Sequence, residues 1–117
     1  MLLEYGTVIH APVKELDKRD GKFLVCISEE LSWFLTINTK NREIYECIEI
    51  SAENYQFLKK QNRFISCSRF FNIKEKGLEG AKLISKISEK DMLKVYNKIQ
   101  QSNKWTPHNK KKVIHKV

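Results

Sequence analysis

FLKKQNRFISCSRFF, residues Phe57 to Phe71, opens as a basic amphipathic segment and closes as an alternating run. The alternation reads as two β-strands, about Arg63 to Ser66 and Arg69 to Lys74, meeting near Cys67. Arg69 stands between the small polar residues Ser66 and Ser68 and the aromatics Phe70 and Phe71. An arginine at a strand rim beside hydroxyls is a place to hold an anion. The plainer alternative is a core strand with one solvated arginine.

Downstream, Gly77 and Gly80 flank a connection, and AKLISKI (Ala81 to Ile87) alternates as an edge strand that buries Leu83 and carries lysines against aggregation. Ser88 begins the clearest helix: Ser88 and Asp91 form a capping-box variant, and Met92, Val95, Tyr96 and Ile99 make one apolar stripe. Thr106-Pro107 starts a second, short helix, with threonine as cap and proline at the first helical position. From Lys104 onward stand five lysines, two histidines and no acid. This tail either contacts phosphates, through Lys110, Lys111 and Lys112, or is frayed and solvated.

Upstream, Tyr5 to Ala11 reads as a first strand stopped by Pro12. Val13 to Lys22 is a charged loop closing on the turn signal Asp20-Gly21. FLVCIS from Phe23 is a strand buried on both faces, LSWFLTIN from Leu31 another, and IYECIEI from Ile44 a partly exposed third. Ser51 caps a short helix with Tyr55, Leu58 and Phe57 on its inner side. Six or seven short strands followed by helix make a mainly β chain: a small barrel-like sheet with a C-terminal helix across it and a short further helix. Residues 1–103 form one domain and 104–117 a basic tail.

Twenty-two basic against fourteen acidic residues leave a net charge of +8 over 117 residues, which favours an anionic partner, RNA or DNA first. The apolar runs are too short to cross a membrane and no leader precedes Tyr5, so a cytoplasmic protein is expected. Cys26, Cys47 and Cys67 are far apart, with no Cys/His cluster for a metal, and are expected as reduced, packed thiols. Cys67 lies beside Arg69, whose charge would lower a thiol's pKa at close range.

The order and spacing of several segments resemble the PemK/MazF toxin family, which also includes CcdB and Kid. GTVIHAPV at Gly6 is similar to the family's opening Gly-x-Val strand. GKFLVCIS at Gly21 resembles its R-P-V-L-V-I-S strand, and LTINT the strand that closes on a threonine. FLKKQNRFISCSRFF resembles the F-L-K-x-x-S-Y-x-x-C-S-R form, and KISEKDMLKVYNKI the start of the C-terminal helix. The resemblance implies an SH3-like barrel, a homodimer, and the toxin of a toxin–antitoxin pair. It implies a metal-independent endoribonuclease, without cofactor, that cuts single-stranded RNA by attack of the 2′-hydroxyl on the neighbouring phosphate.

Carried over by position, the family's first arginine falls at Lys22, its threonine at Thr39, and the arginine of the Kid branch at about Arg69. That branch's aspartate has no counterpart; Asn72 is the polar residue nearby. The implied site is Arg69 and Lys22 on phosphate charge, Thr39 orienting the phosphate, and Ser68 beside it. His10 would stand in for proton transfer, imidazole being the side chain suited to it near neutrality. Trp33, Tyr45, Phe70 and Phe71 are candidates for stacking on bases. Two other readings share the barrel: a non-catalytic nucleic-acid-binding module, and a protein that inhibits a host nucleic-acid enzyme.

Overall fold

The computed structural model describes residues 3–12 and 21–116 (of residues 75 and 76, the backbone alone). The expected charged loop from Val13 lies, as far as residue 20, outside the described residues. Among the described residues, seven antiparallel strands form one open sheet: β1 (Thr7–Ala11), β2 (Lys22–Ser28), β3 (Trp33–Asn38), β4 (Cys47–Ile50), β5 (Arg63–Ser66), β6 (Phe71–Asn72) and β7 (Lys82–Lys86). Helices α1 (Glu89–Gln101) and α2 (Pro107–Lys112) follow. The mainly β architecture with a C-terminal helix and a short further helix is therefore as read from the sequence.

The order β4-β5-β3-β2-β1-β7 makes β3 central, and its second edge is shared. β5 pairs with the end of β3 (Ile37 with Ile65, Asn38 with Phe64), and β6 with its start (Trp33 with Asn72, Phe34 with Phe71). β5 and β6 thus lie end to end, and Cys67 to Phe70 form the kink between them. This is why the alternating run breaks at Cys67, and why the second strand shrinks from the expected Arg69–Lys74 to two residues.

Period-two alternation sorts the side chains onto two faces. Val8, Val25, Ile27, Leu35, Ile37 and Ile65 enter the main core, which α1 closes with Met92, Val95 and Ile99. Ile9, Ala11, Leu24, Cys26, Phe34 and Ile73 form a second core on the opposite face. Burial on both sides explains the unbroken apolar run in β2.

Several boundaries move for backbone reasons. Ser32 adopts φ +56°, so β3 begins at Trp33 rather than Leu31, and Glu46 at φ +50° ends a single 3-10 turn at Glu43–Tyr45 and delays β4 to Cys47. At Ser51 there is a turn, its Oγ accepting from Glu53 N, and a 3-10 turn follows at Gln56–Leu58. Leu83 is not buried but 58 % exposed. β7 is an edge strand whose register against β1 shifts between Val8 and Ile9, and among the described residues nothing covers its outer side.

The caps of both helices form as their sequences dictate. Ser88 Oγ accepts from Asp91 N, and Thr106 Oγ1 from Asn109 N. The return arm of the first box is replaced: Ser88 N donates to the hydroxyl of Tyr55, which donates to Asp91 Oδ2 at 2.5 Å. The segment after Lys104 is docked rather than frayed. Trp105 and Val113 are buried in the main core, and His115 Nδ1 lies 2.9 Å from the Tyr5 hydroxyl.

Candidate functional site

The side chains singled out in the sequence separate into two places. His10 pairs across the ladder with Phe23, Ala11 with Lys22, Phe23 with Ile37, and Asn38 with Phe64. His10, Lys22 and Thr39 therefore gather at one end of the sheet. Arg69, in the kink between β5 and β6, falls between the levels of Ile37 and Phe34, on the side of β3 away from β2 and β1. The structure brings His10, Lys22 and Thr39 to one end of the sheet, with Lys22 on the opposite face from His10, and leaves Arg69 across β3 from them.

At the first end, alternation places His10 and Phe23 on the main-core face with Arg63, the first residue of β5, and Lys22 on the opposite face with Leu24. The ring of His10 meets that of Phe23 edge-on at 4.9 Å between centroids, and the Arg63 guanidinium carbon lies 5.4 Å from the same ring. β2 and β5 are not neighbours, since β3 separates them. Only a strongly curled sheet carries Arg63 over Phe23. Phe57, from the 3-10 turn, closes the third side at 5.3 Å.

Arg63 is half-buried, and its Nε is fully buried without an acceptor. A buried donor left unmade costs about 1–3 kcal/mol, and such a group is uncommon in a native structure. None of the ion pairs among the described residues involves Arg63 or His10. Thr39 is exposed at the same rim. Sequence reasoning passed over Arg63. The signal was there, since Arg63, Ile65 and Cys67 share one face, putting an arginine on an otherwise apolar stripe.

Gly21 fixes the histidine. Its φ is +82°, which L side chains rarely adopt, and a Cβ there would stand 2.6 Å from His10 Cε1 and 3.1 Å from Nε2. The Cε1–Nε2 edge of the imidazole lies against a position that favours glycine. Gly21→Ala is expected to lower stability by about 1–2 kcal/mol from backbone strain and to swing the ring away. Thermal melts and the His10 imidazole resonances test this; an unmoved ring would contradict the packing.

At the second place, Ser68, Arg69, Phe70, Lys104, Trp105 and Asn109 line a cavity of about 280 Å³. Arg69 is exposed and stacks over Phe71, 4.6 Å from the ring centroid. Trp33 and Phe70 stack at 3.9 Å, Trp105 leans on Phe70 at 4.9 Å, and the Trp105 indole donates to the Cys67 carbonyl at 2.8 Å. Trp33 is thus core rather than a free stacking surface. Lys110 is half-buried and its ammonium donates to the Gln100 carbonyl, tying α2 to α1; Lys112 lies 5.9 Å from the Trp33 ring; Lys111 is exposed. A larger cavity, about 370 Å³, carries Glu4, Glu29 and Glu89 against Lys86 and Lys116 and has the wrong balance for a polyanion.

The thiols are packed hydrophobes. Burial pushes Cys67 up to about 12 and Cys26 up to about 11, and the arginine two residues along does not offset it. Cys47, half-buried, is also raised, chiefly by burial. With thiolate the reactive form, a thiol reagent at pH 8 is expected to label Cys47 slowly and the other two only after denaturation. Mass spectrometry of labelled peptides reads this, and fast labelling of Cys67 in the native protein would contradict it.

No family model matches the chain, and no match is found among curated proteins. Among the described residues no group of His, Cys, Asp and Glu is arranged to hold a metal ion, and no helix is long and apolar enough to cross a membrane.

Proposed function

We propose that this protein is an endoribonuclease of the PemK/MazF type, cutting single-stranded RNA by 2′-hydroxyl attack without a metal. The observation that carries the proposal is the convergence of His10 and Arg63 on Phe23 at one end of the sheet, with no carboxylate among the described residues in an ion pair with either. The reaction needs a base for the 2′-hydroxyl and positive charge on the pentavalent phosphate. His10, held against Gly21, takes the proton. The half-buried Arg63 guanidinium supplies positive charge to the phosphate, and the Thr39 hydroxyl orients it from the rim. The leaving 5′-oxygen is protonated from solvent. In this assignment Arg63 supplies the planar fork that Lys22, in the position of the family's first arginine, does not have.

The net charge of +8 supports a polyanionic substrate. A cognate antitoxin, a homodimer and a cytoplasmic setting belong to the same reading. The test is a gel assay of long single-stranded RNA with EDTA present. Wild type is expected to give discrete fragments and His10→Ala intact RNA. Intact RNA with wild type would sink the nuclease reading and leave a binding module on the same fold.

A further inference from the structure

We propose that Tyr55 is a positioning residue for the cleavage site, tying the ring of Phe23, on which His10 and Arg63 converge, to the first turn of α1. A row of four rings makes the link. His10 meets Phe23 at 4.9 Å between centroids, Phe23 meets Phe57 at 5.3 Å, and Phe57 meets Tyr55 at 6.1 Å, all tilted or edge-on. The far end of the row is anchored. Tyr55 is 6 % exposed, and its hydroxyl reaches three groups of the α1 cap. It donates to Asp91 Oδ2 at 2.5 Å, accepts from Ser88 N at 3.0 Å and lies 3.0 Å from Ser88 Oγ.

The backbone makes this anchor bear on Phe57. Tyr55 stands at the N-terminal cap of the 3-10 turn Gln56–Leu58, and Leu58 N donates to its carbonyl at 3.1 Å. Leu58 is buried in the main core on the other flank, so the turn is held at both ends. Phe57, half-buried between them, is pressed against Phe23. Lys59 leaves the turn at φ +60°, a conformation a lysine rarely adopts and one that the surrounding packing has to impose. Rows of packed side chains ending in hydrogen bonds are what carries coupling between distant groups. A reacting group misplaced by about 1 Å costs a rate factor on the order of 10², so a partial loosening costs about tenfold. The catalytic consequence rests on the ribonuclease reading; the coupling of α1 to Phe23 does not.

Tyr55→Phe is the test, because it deletes the hydroxyl and leaves every ring of the row in place. A shifted resonance at His10 then reports movement and not a lost ring current. Ile99→Val, near the opposite end of α1, is the control for a domain that is merely less stable. In Tyr55→Phe the His10 and Phe23 ring resonances are expected to move while that of the Trp105 indole stays. Single-turnover cleavage at saturating RNA should fall about tenfold, with the RNA concentration for half-maximal rate unchanged. Ile99→Val should alter neither. Unmoved His10 and Phe23 resonances in a folded Tyr55→Phe would overturn the proposal, as would a wild-type rate despite moved resonances. An equal loss of rate in Ile99→Val would also overturn it, since lowered stability alone would then suffice. Should Tyr55→Phe fail to fold, Asp91→Asn, which keeps the shape and removes the charge from the same hydrogen bond, takes its place with the same expected outcomes. If wild type leaves RNA intact while the resonances move as expected, the ribonuclease reading fails and the coupling of α1 to Phe23 stands.

Discussion

Trp105→Ala is expected to lower stability by about 3–5 kcal/mol, the range for removing a large buried aromatic. Trp105 is 6 % exposed and packs against Trp33 and Phe70. Its indole is also the donor to the Cys67 carbonyl at the kink between β5 and β6. Truncation therefore opens a cavity and orphans a buried acceptor together. For a domain holding only about 5–15 kcal/mol, that is a large share, and melting should fall by roughly 15 °C or more. Trp105→Phe keeps most of the ring contact and loses the hydrogen bond, so it should cost about 1–2 kcal/mol. Circular-dichroism melts separate the two. A Trp105→Ala variant within about 1 kcal/mol of wild type would show that the C-terminal segment does not belong to the core. The same indole walls the cavity beside Arg69.

The sequence carried the local features of the fold further than their assembly. The Ser88 and Thr106 caps, the Met92–Val95–Ile99 stripe and the doubly buried β2 are set by side chains a few residues apart, and all are legible in the string. Leu83 was misread because alternation gives two faces without saying which is covered. At a sheet edge, that depends on elements distant in sequence. The return arm at Ser88 is supplied by Tyr55, thirty-three residues away, a partner that no local rule selects. The site divided for the same reason. Arg69 stood out because its neighbours are polar and aromatic, whereas Arg63 acquires its meaning only when the sheet curls it over Phe23. Gly21 looked like half of a turn signal, and the turn is only part of its role, since its missing Cβ is what seats His10.

Arg63→Met is expected to cut RNA cleavage by about 10²–10³ while leaving melting unchanged or slightly raised. The activity loss is the size seen when one preorganised donor to a developing charge is removed. The stability expectation runs opposite to that for an ordinary buried residue. Methionine keeps the apolar stem against Phe23 and removes an Nε that is buried with no acceptor, a standing cost of about 1–3 kcal/mol. The lost cation–π contact, about 0.5–2 kcal/mol, offsets part of that gain. Arg63→Lys separates charge from geometry: it keeps a cation but not the fork, and should recover only a small part of the rate. Single-turnover cleavage and thermal melts on the three proteins give the answer. Full activity in Arg63→Met would remove Arg63 from the mechanism. A fall in melting of many degrees alongside lost activity would make Arg63 a structural residue whose unpaired nitrogen has no catalytic meaning.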